Sequence, residues 1–106
     1  IALLKEDLKK IHTPVMYLLG GETDIAYING MDDFSRINQV PVFAANYPVG
    51  HGGTYAQPHG GEFSVVALAW LDWQLKKSDE AGKMFLGEPC GVAQREGWTA
   101  AKKNID

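Results

Sequence analysis

Apolar and polar positions along this chain change period several times, and each change marks an expected element. Ile1 to Ile11 (IALLKEDLKKI) places Leu4, Leu8 and Ile11 on one helical face and Lys5, Glu6, Lys9 and Lys10 on the other, which predicts an amphipathic helix. From Pro14 to Leu19 (PVMYLL) the pattern becomes a continuous apolar run, stopped by Gly20-Gly21. Such a run fits a strand buried on both faces in a parallel sheet. Ala26 to Ile37 returns to helical spacing through Tyr27, Ile28, Met31, Phe34 and Ile37, although Gly30 and the scarcity of strong helix formers weaken it. Val40 to Tyr47 (VPVFAANY) is a second apolar run, ended by Pro48 and by Gly50-His51-Gly52-Gly53. Its Pro41 suits a strand entrance or an edge, so this strand is expected at the outer edge of the sheet.

Glu62 to Lys77 predicts the strongest helix, so rich in Phe63, Val65, Val66, Leu68, Trp70, Leu71, Trp73 and Leu75 that it should be largely buried. Core packing accounts for both tryptophans. Ser78 is positioned as the N-cap of a shorter helix running through Phe85. From Gly87 the chain is punctuated by glycine and proline, with Trp98 as its large anchor, and residues 87–106 are expected to wrap the surface.

Strand, helix, strand is the pattern of a right-handed βαβ unit, the common way to connect parallel neighbours. In that unit both following loops lie at the carboxyl edge of the sheet, where open α/β folds keep their sites. Asp24, after the first run, and His51, after the second, should therefore sit side by side. The fold class is α/β.

Gly20-Gly21-Glu22-Thr23-Asp24 after one buried strand, with Gly50-His51-Gly52 after the next, resembles the end of an α/β-hydrolase domain of the serine esterase, dienelactone-hydrolase-like kind. That family orders its triad Ser, then Asp or Glu, then His. Asp24 and His51 match the family's acid and base, and their separation (51 minus 24, or 27 residues) is about one crossover unit. The resemblance covers residues 1–106 as the C-terminal part of a single domain: the last two parallel strands and flanking helices of the fold, seen as an incomplete sheet. It implies Asp24 and His51 as catalytic residues, hydrolysis of a carboxylic ester, and no cofactor. The family's nucleophile elbow is missing. Ser35, Ser64, Ser78 and Cys90 all stand outside any G-x-S-x-G sequence. The implied partners are an N-terminal portion of the same hydrolase, carrying the nucleophile, and a small-molecule ester. Ile25 and Tyr55 are candidate substrate-binding residues, with Met16 a further candidate for the pocket wall.

Other readings of the same residues stay open. An α/β scaffold can serve as a noncatalytic binding module, since fold does not dictate activity. His51 and His59, in two His-Gly-Gly units, could belong to a metal-binding domain, but their spacing matches no familiar ligand pattern and no third ligand is evident. Asp24 could simply cap the helix that follows it. The adjacent acids Asp32 and Asp33 point about 100° apart on a helix and read as a solvated face. His12, at a strand entrance, belongs to the edge opposite the catalytic loops.

Composition narrows the classes further. At 106 residues with 45% hydrophobic and 22% charged residues, the chain is of globular type and can form one modest core. A net charge of −3 without a basic cluster argues against nucleic acid or an anionic membrane as partner. No apolar stretch approaches the roughly 20 residues that span a bilayer. The lone Cys90 leaves no internal disulfide and reads as a small buried hydrophobe. Compartment is not indicated.

Overall fold

The computed structural model describes residues 4–106. Its centre is a three-stranded mixed sheet in the order β1-β2-β3, formed by β1 (Val15–Leu19), β2 (Val42–Asn46) and β3 (Thr99–Lys103). β1 and β2 run parallel, with Leu19 opposite Asn46, and β3 returns antiparallel to β2. Helix α1 (Tyr27–Arg36) forms the crossover between β1 and β2, and α2 (Gly61–Lys76) follows the long loop after β2. Two single-turn helices, α3 (Asp79–Gly82) and α4 (Gly91–Gln94), lead into β3. The architecture is α/β.

Alternation along the strands divides the core into layers. Phe43 and Ala45 of β2 pack with Phe63, Val66, Trp70, Phe85, Cys90, Val92 and Trp98, joined by Met16 and Leu18 of β1. Val42 turns the other way, to Ile37 and Val40, where Val15, Tyr17 and Phe34 cover it. Thus α2 and α1 occupy opposite faces of the sheet. Every residue of β2 is buried, as a central strand requires. The aromatic cluster is tightly interlocked: Phe43 meets Phe85 edge to face at 5.0 Å, and Trp73 stacks on Phe85 at 5.4 Å.

Several expectations change. β2 is central rather than at the outer edge, because β3 pairs along its second side. Pro41 is still compatible with this position: it precedes β2, and its carbonyl accepts the amide of Val15. Residues 87–106 contribute a strand to the sheet instead of only wrapping it, and Trp98 is buried. β1, expected to be buried on both faces, lies at the sheet edge with only Leu19 fully buried. Along α2 only Phe63, Val66 and Trp70 are buried, while Val65, Leu68, Leu71 and Leu75 face outward. α3 is capped by Ser78, whose hydroxyl accepts the amide of Ala81, but it ends at Gly82 and continues to Phe85 as turns.

The amphipathic segment at the start is a 3-10 helix over Lys5–Lys10, with Leu8 and Ile11 against the Ile37 cluster. The part of that expectation falling on residues 1–3 lies outside the described residues. Asp32 and Asp33 are not merely solvated: Lys5 reaches both carboxylates and ties this 3-10 helix to α1.

Candidate active site

Both residues singled out at the strand ends arrive where the βαβ reading places them. β1 ends at Leu19 and turns through Gly20-Gly21, whereas β2 ends at Asn46 and continues through Tyr47-Pro48. The two turns are pressed together by backbone contacts. The Gly20 carbonyl accepts the amides of Val49 at 3.1 Å and Gly50 at 2.9 Å. A Cβ on Gly20 would lie 1.8 Å from the Gly50 carbonyl oxygen, so glycine is required by space alone. Asn46 adds a side-chain link, its Oδ1 accepting the Gly21 amide at 3.3 Å.

Asp24 is locked from below. Its Oδ2 accepts the amide of Gly20 at 2.8 Å, and its Oδ1 accepts that of Ala26 at 2.8 Å. The second bond is an Asx turn leading toward α1. The helix-start reading and the site reading are therefore compatible, because the same carboxylate also meets His51. His51 Nδ1 lies 2.8 Å from Asp24 Oδ1. Burial works to raise the Asp24 pKa, but the amides of Ala26 and Gly20, together with His51, outweigh it and hold the carboxyl below its ordinary value. An ionised carboxylate at this position favours the tautomer with the proton on Nδ1, leaving Nε2 as a free base.

Exposure separates the roles. The Asp24 side chain is 5% exposed and that of His51 65% exposed. Among the described residues Nε2 has no hydrogen-bond partner, and the flanking Gly50 and Gly52 have open space where a Cβ would stand. The arrangement can hold a neutral imidazole in one orientation and present its basic nitrogen to an incoming hydroxyl.

No family model and no curated protein matches this sequence. The chemistry must therefore be read from the side chains themselves. Among the described residues no serine or cysteine is hydrogen-bonded to Nε2. Ser35 donates to the Asp32 carbonyl, Ser78 caps α3, Ser64 lies on α2 beside Gly60, and Cys90 is buried in the core. Ile25, next to Asp24, is 85% exposed, and Tyr55 is exposed while touching Phe63 edge to face at 5.3 Å. Met16 is half-buried, packed against the core cluster that includes Phe63, Val66 and Trp70 of α2. His59 stands in a left-handed conformation before α2, with φ of 56°. Among the described residues no three His, Cys, Asp or Glu side chains gather as a metal site. Among the described residues no helix is long and apolar enough to cross a membrane.

Three features of the surroundings were not anticipated. Asn46 is buried at the end of an otherwise apolar strand, a signal the sequence did carry. Thr54 is almost wholly buried and caps α2 from outside it, donating to the Gly60 carbonyl and accepting the Phe63 amide at 2.9 Å. Glu62 accepts Arg95 through Nε at 3.0 Å and Nη2 at 2.7 Å, and Trp98 Nε1 at 2.9 Å. The Arg95 guanidinium, followed by the Trp98 indole, holds Glu62 below the usual carboxylate range despite partial burial. Between this group and Tyr47-Pro48-Val49 opens a cleft of about 680 Å³.

Proposed function

We propose that Asp24 and His51 are the acid and base of a hydrolase acting on carboxylic esters, with the nucleophilic hydroxyl supplied by an upstream portion of an α/β-hydrolase domain. The observation that carries this reading is the 2.8 Å contact from His51 Nδ1 to a buried carboxylate, within an imidazole side chain that is otherwise largely exposed. His51 Nε2 removes the hydroxyl proton as the oxygen attacks the ester carbonyl. It then returns that proton to the departing alkoxide, leaving an acyl-enzyme that water hydrolyses by the same steps. Asp24 accepts the Nδ1 hydrogen throughout and stabilises the imidazolium. The open edge of β1 and the outward apolar stripe of α2 support a larger sheet continuing beyond β1.

The test is reconstitution. The chain is combined with the upstream portion, and release of nitrophenol from a short-chain nitrophenyl ester is measured. His51→Ala should lower turnover by roughly 10³-fold or more, and Asp24→Asn should follow it. Turnover unaffected by His51→Ala would remove the assignment.

A further inference from the structure

The His51 loop contains little that would make it rigid. Gly50, Gly52 and Gly53 surround the imidazole, and glycine gives up more conformational freedom on ordering than any other residue. Within the loop the His51–Asp24 bond and a turn bond from the Gly53 amide to the Gly50 carbonyl act locally, and both ends are tied to the first turn of α2. At the far end, the Phe63 amide is bonded to the buried Thr54 hydroxyl. At the near end, Trp98 stacks on Tyr47 with ring centres 4.8 Å apart and planes at 29°. The Trp98 indole is in turn fixed by the Glu62 carboxylate, and Arg95 braces that carboxylate with a two-pronged bond. Gly97 makes the approach possible: its φ is +85°, and a Cβ there would lie 2.8 Å from the Tyr47 ring.

Resting on the ester-hydrolase reading above, we infer that Glu62, acting through Arg95 and Trp98, is a positioning residue for His51. The clasp seats Trp98 against the stem Tyr47-Pro48 and so keeps the Val49 and Gly50 amides on the Gly20 carbonyl. Those bonds set the height of the imidazole over Asp24. A residue placed only for core stability would not single out this loop.

The test follows amide hydrogen exchange in the full 106-residue chain, reading Val49 and Gly50 against the central-strand amides of Ala44 and Ala45. Trp98→Leu removes the stacked ring and should speed exchange at Val49 and Gly50 about tenfold more than at Ala44 and Ala45, the consequence of losing about one hydrogen bond's worth of local order. Trp98→Phe, which keeps a ring on Tyr47, should restore most of that protection, and Glu62→Gln should fall between the two. Should Trp98→Leu fail to fold, Glu62→Gln carries the comparison alone. Exchange rising equally at all four amides in every variant would reduce the clasp to a structural contact and overturn the inference. Failure of the hydrolase reading looks different: the loop amides respond as expected, while His51→Ala leaves ester turnover intact.

Discussion

At the scale of single residues, the site depends on where a side chain is forbidden as much as on where one is present. Gly20 and Gly50 illustrate two separate reasons. At Gly20 an added methyl collides with the Gly50 backbone, which cannot swing aside as a side chain could. Gly20→Ala should therefore cost about 3 kcal/mol in urea unfolding and part the two loops. Gly50 has free space around it but a φ of +80°, so Gly50→Ala should cost only about 1 to 2 kcal/mol, all of it conformational. Equal costs at the two positions would contradict this division. The carboxylate of Asp24 follows similar logic. Backbone amides of Gly20 and Ala26 hold it as well as His51, so Asp24→Asn disturbs both the turn and the imidazole, and its effect on turnover in the proposed hydrolase should come with a measurable loss of stability.

At the scale of elements, the decisive joint is the entrance to α2. Gly60 occupies the N-cap position and has no side chain to satisfy the first-turn amides. Thr54 accepts one of them, the Phe63 amide, from several residues upstream. Thr54→Val keeps the shape but orphans a buried amide, and should cost about 1 to 3 kcal/mol. Thr54→Ser keeps the hydroxyl and loses one methyl, at about 1 kcal/mol. Urea unfolding of the two variants checks the order. Elements of this kind also show what was legible in advance. β1, α1, β2 and α2 follow from unbroken apolar runs and helical spacing, and Asp24 with His51 follows from βαβ topology. β3 was hidden because Thr99-Ala100-Ala101-Lys102-Lys103 has neither β-branched residues in number nor clean alternation; tertiary pairing with β2 makes it a strand. The same pairing moved β2 from the edge to the centre. The Glu62, Arg95 and Trp98 group joins positions with no periodic relation in sequence, so only the folded chain brings it together. The two His-Gly-Gly units looked alike but do different work: one presents an imidazole, the other makes the tight turn into α2.

At the scale of the whole molecule, charge and exposed apolar surface decide behaviour. Asp24 and Glu62 both have folded pKa values below their ordinary ones. Groups lowered in the folded state contribute stability that is present above the unfolded pKa, about 4, and is lost as pH falls through the folded value. Stability should thus hold through neutrality and decline below about pH 4. Glu62→Gln should flatten part of that decline in urea titrations taken between neutral and strongly acidic pH. A decline unchanged by the substitution would place the acid sensitivity elsewhere.

The exposed apolar surface yields a sharper test. Val65, Leu68, Leu71 and Leu75 form one outward stripe on α2, with Leu75 76% exposed, and a groove of about 350 Å³ runs from Leu71 and Leu75 to Thr13 and Pro14 at the entrance to β1. An open strand edge beside an apolar helix face promotes association with whatever chain is available. For the isolated chain this predicts self-association, and for the proposed hydrolase it predicts docking of the preceding strands and helices. Leu68→Lys combined with Leu75→Lys should leave unfolding free energy within about 0.5 kcal/mol, since both positions face outward. The same pair should shift the isolated chain toward monomer in sedimentation velocity and abolish reconstitution with the upstream portion. Reconstitution that proceeds undiminished would mean that the stripe faces solvent in the assembled protein, and that the sheet extends by some other route.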